Sequence, residues 1–451
     1  MNRMVEEVSA AYLVGTVEED VPAGYKKTEV GVAPKDWNVG PFGELFEKTS
    51  SRKALRSSEV VSFVGMQDVT ENARLKSVHL VNFEEVKAGF TYFEKKDVLV
   101  AKITPCFENG KGCSTNNLPT DVGVGSTEFH VLRANDSSDA DFIYFWTTTR
   151  RLRTALESEM VGSAGHRRVP LHALQNYVIP YPKCKHEQSA IAKILSDLDL
   201  LMERLEILIL KKQAVKAAAM QQLLTGRTRL PEFAFREDGS KKGLKNNELG
   251  EIPEDWIVHR LGKIASFING RAYSLNEWET EGIPVIRLQN LTGRGDEYYF
   301  SNIELPEKNY CVTGDLLFMW SATFGPVIWQ GERAIFHYHI WKVDVNEEFS
   351  RAFVYYLLCH MTLELKKGSS SGGTMLHVTK GMMEEARARL PSYEEQLAIS
   401  AVLKDLDREL EALEGRLSKT RQLKQGMMQQ LLTGKIRLVQ PAKVRELIDE
   451  S

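Results

Sequence analysis

Cysteine is scarce in this sequence. The 451 residues contain five cysteines, and no two of them form a CxxC pair. A disulfide framework, or a zinc site of the common CxxC type, requires a denser and more regular arrangement of cysteines. The pattern therefore excludes both classes and predicts a reduced, cytoplasmic protein.

Long hydrophobic runs are absent as well. No segment approaches the roughly 18–20 consecutive apolar residues that cross a bilayer. The first residues, MNRMVEEVSAAYLVG, carry acidic side chains and lack the long apolar core of a signal peptide. We therefore expect neither a membrane span nor a signal peptide.

Charge of one sign is not in excess. Lysine and arginine number 58, aspartate and glutamate 61, and the formal net charge is −3. A protein that binds nucleic acid through its overall charge is strongly basic, so any DNA contacts must depend on local basic residues or on a partner. The hydrophobic content of 43% and the length indicate an ordinary globular protein with two or three domains.

What the sequence does contain is an internal repeat. The segment QQLLTGRTRL at 221–230 returns as QQLLTGKIRL at 429–438, and a Glu-Gln pair precedes each copy at the same distance. About half of the residues between these markers are identical in the two copies. A second shared motif, E-x-G-x-x-P-x-D-W, opens each half at 29–37 and 248–256. Two copies about two hundred residues apart indicate a duplication and not a solenoid.

Each repeat ends in a long predicted helix. Apolar residues recur there at spacings of three and four over about five heptads, which is typical of a coiled-coil seam. Each helix has about 38 residues, hence a length of about 57 Å, and ends at a glycine suited to the left-handed conformation, Gly226 or Gly434. Ser392 and Glu395 predict a capping box at the start of the second helix. The predicted seam residues are Ile191, Leu195, Leu198, Met202, Leu205, Ile209, Ile399, Leu403, Leu406, Leu410, Leu413 and Leu417.

The segments between the shared motifs repeat one order of predicted elements but differ in sequence. Three strands precede a helix in each segment, at 62–69, 97–103, 127–133 and 141–158 in the first and at 283–291, 314–325, 334–343 and 353–367 in the second. The common order predicts one α/β fold that carries two different surfaces.

The predicted architecture is therefore two α/β domains separated by a long antiparallel two-helix coiled coil, with pseudo-two-fold symmetry. If the ligand is DNA, a spacer of about 57 Å spans about 17 base pairs and places the domains in separate grooves. The predicted boundaries are an N-terminal tail at 1–27, the first domain at 28–182, its helix at 183–226, a linker at 227–246, the second domain at 247–391, its helix at 392–434 and a C-terminal tail at 435–451.

These motifs resemble those of the specificity subunits of type I restriction-modification systems over essentially the whole chain. The resemblance rests on both E-x-G-x-x-P-x-D-W openings, on a P-x-x-x-E-Q pattern at 391–396 and on both QQLLTG[RK]-x-RL ends. The family consists of two target-recognition domains joined by two central helices. The resemblance implies that each domain reads one half of an asymmetric bipartite DNA site and that the helices set the gap.

The same resemblance implies partners. Two modification subunits, which methylate adenine with S-adenosylmethionine, and restriction subunits, which use ATP and Mg, are expected to bind this chain. The chain itself is expected to be non-catalytic and to hold neither a cofactor nor a metal. Consistent with this, it lacks an NPPY-like tetrapeptide and a GxxxxGK[ST] loop.

Two other functions remain as alternatives. The GSSSG at 368–372 matches the G-x-S-x-G motif of serine hydrolases through Ser370, but it follows a predicted helix where that motif requires a strand. A coiled-coil adaptor that does not bind DNA is the other alternative. His337 and His339 have the spacing of metal ligands, although their apolar surroundings favour ordinary strand residues.

Polar glycine loops are the main candidates for DNA contact, because they occupy equivalent places in both halves. Their Ser, Thr, Arg and backbone N–H groups suit phosphate contact, while Arg, Gln and Asn can read base edges. Solvated loops and surface turns are the alternative interpretation. The candidates are Ser163, His166, Arg167 and Arg168 in the loop 162–168, Ser369, Ser370, Thr374 and His377 in the loop 368–377, and Asn109, Lys111, Arg271, Tyr273, Arg287, Gln289 and Asn290 elsewhere.

Overall fold

A computed structural model of the chain describes residues 21–47, 52–163, 165–295, 297–321, 323–368 and 378–438. The chain divides into two compact units. Unit 1 combines Met1–Arg204 with Arg416–Ser451, and unit 2 is Leu205–Gly415. The division crosses both long helices, so each unit contains one end of each helix.

Unit 1 is an α/β structure followed by the first part of a long helix. Its elements are β1 (Tyr25–Thr28), β2 (Gly31–Pro34), β3 (Asn38–Pro41), β4 (Val60–Val64), β5 (His79–Asn82), α1 (Phe83–Val86), β6 (Thr91–Glu94), β7 (Val98–Ala101), β8 (Gly112–Ser114), β9 (Val122–Gly125), β10 (Phe129–Leu132), α2 (Ala140–Thr147), α3 (Arg150–Glu157), α4 (Leu171–Asn176), β11 (Val178–Tyr181) and α5 (Lys185–Leu224), which continues into unit 2.

Unit 2 repeats this plan. Its elements are α6 (Pro231–Ala234), β12 (Leu244–Asn247), β13 (Gly250–Pro253), β14 (Ile257–Arg260), α7 (Leu261–Ile264), β15 (Ala265–Asn269), β16 (Ile283–Ile286), α8 (Leu288–Thr292), β17 (Tyr299–Ser301), β18 (Tyr310–Cys311), β19 (Leu316–Ser321), β20 (Thr323–Ile328), β21 (Ala334–Phe336), β22 (Ile340–Val345), α9 (Arg351–Gly368), α10 (Lys380–Glu385), β23 (Arg387–Leu390) and α11 (Tyr393–Leu431), which continues into unit 1.

The two units have corresponding sheets. In unit 1 the strand orders are β5-β4-β9-β6 and β10-β7-β8, and in unit 2 they are β17-β16-β21-β18 and β15-β22-β19-β20. The central pair of the first sheet is parallel in each unit, β4 with β9 and β16 with β21, while the other neighbours are antiparallel. The predicted α/β class and the repeated order of elements are therefore present in both units.

The prediction of a single helix at 141–158 is wrong, because the structure has two helices there, α2 and α3. The hydroxyl groups of the three threonines 147–149 donate to the carbonyl oxygens three residues earlier, at 2.7–2.8 Å. Such side-chain bonds compete with the helical backbone bonds. Thr149 takes an extended conformation and caps α3 by accepting a hydrogen bond from the Leu152 amide.

Three strand predictions in the second half are also wrong in part. The segment predicted as one strand at 314–325 forms parts of two antiparallel strands, β19 and β20. The strand predicted at 283–291 ends at Ile286, and α8 follows directly. The strand predicted at 334–343 is two strands, β21 and β22, with a turn at 337–339 between them. His337 and His339 therefore lie in a turn and are not strand residues. Periodicity did not reveal the turn, because its members are as aromatic as the adjoining strands.

The motifs shared by the two halves meet in unit 1 around one arginine. Arg437 lies in the second QQLLTG[RK]-x-RL segment, and its guanidinium donates to both carboxylate oxygens of Glu187, at 2.6 and 2.8 Å. It also donates to Asp36, at 2.8 and 3.1 Å, and lies 5.8 Å from the centre of the Trp37 ring. We refer to Arg437, Glu187, Asp36 and Trp37 as the Arg437 cluster. It joins the C-terminal repeat to the opening motif of the first half.

Unit 2 contains the equivalent Arg229 cluster, formed by Arg229, Glu395, Asp255 and Trp256. Arg229 comes from the first QQLLTG[RK]-x-RL segment and donates to Glu395 at 2.9 Å and to Asp255 at 2.7 and 3.1 Å. The indole N–H of Trp256 donates to Glu395 at 3.1 Å. Each QQLLTG end thus contacts the opening motif of the opposite half, and both tryptophans are buried.

The Glu-Gln pair has a structural role at the start of each long helix. The side-chain oxygen of Gln188 accepts a hydrogen bond from the Asp139 amide in unit 1, and that of Gln396 accepts one from the Ser350 amide in unit 2. The predicted capping box is only half formed. The Ser392 hydroxyl accepts a hydrogen bond from the Glu395 amide at 3.4 Å, but the Glu395 carboxylate binds Arg229 instead of completing the box.

The predicted seam residues lie on the inner faces of the long helices. Ile191, Leu195 and Met202 of α5 and Leu417 of α11 are buried in unit 1; Leu205 and Ile209 of α5 and Ile399, Leu403 and Leu410 of α11 are buried in unit 2. Leu198, Leu406 and Leu413 are half-buried. Helices of 40 and 39 residues with this pattern fit a coiled coil.

Candidate nucleic-acid interface

In unit 2, several candidate residues converge where two parallel strands end. The register pairs Ile286 of β16 with Phe336 of β21, so Arg287 and His337 follow the two strands side by side. The His337 amide donates to the Ile286 carbonyl at 2.9 Å. Arg271 pairs with His337 through an isolated parallel β-bridge. The carboxyl ends of parallel strands are a common position for ligand sites in α/β sheets.

Arg271 and Tyr273 lie in this group but have partners of their own. The Arg271 guanidinium binds the Glu277 carboxylate and lies 5.1 Å from the centre of the Tyr273 ring. A backbone hydrogen bond from Ser274 and the Arg271 contact together lower the pKa of Glu277 to about 2. Burial raises the pKa of Tyr273 to about 12. The charge of Arg271 is therefore already neutralised by Glu277 within the protein.

The guanidinium of Arg287, like that of Arg271, lies over aromatic rings. It is 4.8 Å from the centre of the Tyr299 ring and 6.0 Å from that of Trp278. No carboxylate pairs with Arg287 among the residues that the structure describes. The donors of Arg287 thus remain available at the edge of the sheet, and stacking orients the planar group.

Asn290 serves the local fold. Its side-chain oxygen accepts a hydrogen bond from the Arg287 amide at 2.9 Å, and its amide nitrogen donates to the carbonyls of Gly295 and Glu297. All of its strong hydrogen-bonding capacity except one lone pair is therefore used to shape the turn. Gln289 is half-buried, and its side chain packs near Gly295.

His337 is held in the neutral form. Burial is the main reason that its pKa falls to about 4, and the neighbouring His339 and Arg287 act in the same direction. The rings of Tyr338 and His339 are 3.8 Å apart between centres, and the Tyr338 side chain is exposed. No group of three potential metal ligands is present in the described part of the chain.

In unit 1, the candidates Asn109 and Lys111 meet a different turn. The Lys111 ammonium donates to the Met66 carbonyl at 3.1 Å, and the Asn109 amide donates to Glu71 at 3.1 Å. Both contacts reach the segment that follows β4, which corresponds to the segment after β16 in unit 2. The structure therefore brings these two candidates to the same sheet edge that Arg287 occupies in unit 2.

Two arginines of the loop 162–168 form ion pairs with glutamates on the same face of unit 1. Arg168 donates to both oxygens of Glu128, at 2.9 and 2.8 Å, and this contact lowers the pKa of the Glu128 carboxyl. Arg167 lies 3.6 Å from the Glu108 carboxylate. Ser163 and His166 are exposed. Because glutamates pair with both arginines, this face is not strongly basic, in line with the net charge of the chain.

Four candidates, Ser369, Ser370, Thr374 and His377, lie outside the described residues. Four further residues lie near the candidate positions although no sequence motif marks them: Gln67, Trp278, Tyr299 and Tyr338. A comparison of the segment GMQD after β4 with RLQN after β16 would have indicated Gln67, since both segments carry glutamine at the third position.

No helix within the described ranges has the length and apolar character needed to cross a membrane. The two α/β units, their shared motifs and their long helices define a duplicated α/β protein with two long helices. A family model described as the type I restriction modification DNA specificity domain matches the chain twice, at residues 34–211 and 253–420. The chain belongs to this family, and the resemblance inferred from the sequence is confirmed.

Several curated proteins are similar to the chain. The type I restriction enzyme EcoEI specificity subunit of Escherichia coli is 34% identical over 177 residues, which are 38% of this chain and 29% of that protein. The EcoAI specificity subunit of the same species is 25% identical over 329 residues, or 57% and 56% of the two chains. The MjaVIII specificity subunit of Methanocaldococcus jannaschii is 27% identical over 428 residues, or 90% and 94%. The matches thus span less than two thirds of both Escherichia coli proteins and nearly all of the archaeal one.

Solved structures share the fold. A chain from a structure that concerns complex assembly and conformational transition of the type I R-M system has a TM-score of 0.53 at 18% identity, covering 90% of this chain and 99% of its own. The type I restriction-modification S subunit from M. genitalium has a TM-score of 0.52 at 16% identity, covering 88% and 96%. At these identities the likeness establishes the fold alone.

Proposed function

We propose that this chain is the DNA specificity subunit of a type I restriction-modification complex, in which unit 1 reads one half of an asymmetric bipartite site and unit 2 reads the other. The observation that carries the proposal is the pair of corresponding sheets with different side chains at the same edge. Arg287 and His337 follow the parallel strands in unit 2, where Gly65 and Ser126 follow them in unit 1. Different side chains on one framework suit two different half-sites.

The two long helices are proposed to run antiparallel and to set the gap between the half-sites. In unit 1 the early part of α5 contacts the late part of α11, as Lys424 donates to Asp199 at 2.7 Å. In unit 2 the late part of α5 contacts the early part of α11, through the pair of Lys216 and Asp407. Contacts in this order support opposite helix directions. A helix of 40 residues is about 60 Å long, enough to separate two DNA-reading domains.

The long helices are also proposed to bind the modification subunits. Exposed apolar side chains lie outside the seam: Leu200 and Leu423 in unit 1, and Ile207, Leu210, Val215 and Leu397 in unit 2. Single exposed apolar residues are common on any protein surface, but several of them on the same two helices suit a surface that a partner covers. In this proposal the chain is cytoplasmic and non-catalytic. The modification subunits supply S-adenosylmethionine chemistry, and the restriction subunits supply ATP- and Mg-dependent chemistry.

The test is the adenine-methylation pattern of the genome in cells that make this chain with its modification subunit, compared with cells that lack the chain. The proposal predicts a chain-dependent, asymmetric bipartite motif with a constant gap. If the modification subunit is active and bound but no chain-dependent motif appears, the proposal fails. A coiled-coil adaptor without DNA recognition would then be the better account.

A further inference from the structure

The turn after the first parallel strand is built in the same way in both units. The amide of Gly65 donates to the Asp68 carboxylate at 2.7 Å, and the amide of Arg287 donates to the Asn290 side chain at 2.9 Å. The neighbouring strand matches too: the Ser126 amide donates to Val64 at 3.2 Å, as the His337 amide donates to Ile286 at 2.9 Å. Gly65 and Arg287 therefore occupy equivalent positions.

The side chain that fills this position comes from different residues in the two units. A Cβ atom placed on Gly65 would lie 2.6 Å from both polar atoms of the Gln67 amide. Gln67 therefore folds over Gly65 and places its amide where the side chain of Arg287 begins in unit 2. The glycine permits this arrangement, because any larger residue would displace the amide.

Both polar groups are available to a ligand. Gln67 is exposed, and its amide has no hydrogen-bond partner among the residues that the structure describes. The other candidate arginines have carboxylate partners: Glu277 for Arg271, Glu108 for Arg167 and Glu128 for Arg168. Arg287 instead lies over the Tyr299 ring, a contact that leaves its N–H donors unused.

We propose that Gln67 and Arg287 are equivalent base-reading residues, so that Arg287 specifies a guanine in the half-site of unit 2 and Gln67 an adenine in that of unit 1. An arginine fork pairs with the O6 and N7 acceptors of guanine, and a glutamine amide pairs with N6 and N7 of adenine. The inference rests on the proposed function, because it requires that the units bind DNA in the major groove.

The test compares genomic methylation motifs in cells making the wild-type chain, Arg287→Ala or Gln67→Ala with the modification subunit. Arg287→Ala is expected to relax one guanine position in a single half-site, with a loss of preference of roughly tenfold or more. Gln67→Ala is expected to relax one adenine position in the other half-site. Each variant leaves the unaffected half-site as an internal control.

Arg333→Ala is the matched control for Arg287→Ala. Arg333 also lies over an aromatic ring, 4.1 Å from the centre of Tyr310, but it pairs with Glu307 at 2.7 Å. It should leave the motif unchanged. If a variant loses methylation altogether, binding of its complex to duplexes carrying each base at the assigned position decides the matter. Equal weakening for all four bases would indicate a phosphate contact and overturn the inference.

Failure of the inference is distinct from failure of the proposed function. A bipartite motif with the wild-type chain, together with an unchanged base preference at every position in both variants, would overturn only the assignment of Gln67 and Arg287. Absence of any chain-dependent motif with the wild-type chain would overturn the proposed function itself.

Discussion

The arginines of the two clusters differ from Arg287 in what their guanidinium groups contact. Arg437 and Arg229 bind two carboxylates each and are largely buried. Such groups hold the fold together, because an unpaired charge inside the protein is costly. Arg287 stacks on Tyr299 and pairs with no carboxylate among the described residues. The arginines of the clusters account for the repeated motifs, and Arg287 is the residue proposed to contribute to specificity.

The Arg437 cluster gives a prediction about stability, and the equivalent Arg229 cluster in unit 2 provides its control. Arg437→Ala leaves the Glu187 carboxylate, which is 1% exposed, without its charged partner. We expect the free energy of unfolding of unit 1 to fall by about 3 kcal/mol. Hydrogen exchange measured by mass spectrometry would report this in peptides of β3 and β11.

The matched variant is Arg229→Ala, which should weaken unit 2 and spare unit 1. Arg408→Ala removes an exposed pair with Asp405 and should change the free energy of unfolding by less than about 0.5 kcal/mol. Equal effects of Arg437→Ala and Arg408→Ala would contradict a stabilising role for the cluster.

His337 gives a prediction about pH. Its folded pKa of about 4 lies below the ordinary value of 6.5. Between these values the unfolded chain binds a proton that the folded chain does not, so this residue's contribution to stability falls as the pH falls from about 6.5 to about 4. We expect the advantage of the wild-type chain over His337→Gln in thermal unfolding midpoint to decrease from pH 7 to pH 4.5. A difference independent of pH would refute the assigned pKa.

The turns that follow the two long helices contain glycines that the neighbouring structure requires. Gly226 and Gly434 have φ angles of +73° and +71°, the left-handed region that other residues avoid. A Cβ atom on Gly434 would lie 2.6 Å from the Pro34 ring, and one on Gly226 would lie 2.5 Å from the Pro253 ring. The glycine of QQLLTG and the proline of E-x-G-x-x-P-x-D-W are therefore adjacent in space within each unit.

Glycine substitutions within α11 and in the turn that follows it test this account. Gly434→Ala combines a strained φ with a clash against Pro34, so we expect the free energy of unfolding of unit 1 to fall by more than about 1 kcal/mol. Gly426→Ala lies in the helix interior with no atom within 4 Å of the added Cβ, and it should raise stability by about 0.5–1 kcal/mol. Urea unfolding of the two variants would show opposite changes, and changes of the same sign would contradict the role given to Gly434.

The long elements could be predicted from the sequence, whereas breaks within the shorter ones could not. Periodicity sustained over many turns located α5 and α11 because many residues contribute to one signal. The end of α2 depends on three threonine hydroxyls, and the turn at 337–339 depends on backbone bonds to neighbouring strands. Such local or long-range bonds leave no periodic trace.

The candidate site could be predicted only in part from the sequence, for a similar reason. Arg287 could be named from its residue type, but its distinction from Arg271 depends on the position of Glu277. The shared glutamine of GMQD and RLQN pairs Gln67 with Gln289 in sequence, whereas the relation of Gln67 to Arg287 is visible only in the geometry of the turn. Residue type therefore suggested candidates, and the partners of each side chain separated them.

Specificity is proposed to be divided between two parts of the molecule. The units are proposed to read the half-sites, and the helices are proposed to set the gap. These roles are separable, because the seam residues of α5 and α11 are remote in sequence from Gln67 and Arg287. A change of helix length should therefore alter one property of the recognised sequence and leave the other unchanged.

The most direct test inserts four helix-forming residues into both long helices, after Arg204 in α5 and after Gly415 in α11. Four residues add about 6 Å, or one to two base pairs at about 3.4 Å each. The methylation motif of cells making this variant with the modification subunit should keep both half-sites and contain a longer gap. Insertion of four residues at an exposed loop, after Gly239, is the control and should change neither. An unchanged gap, or altered half-sites, would contradict the account.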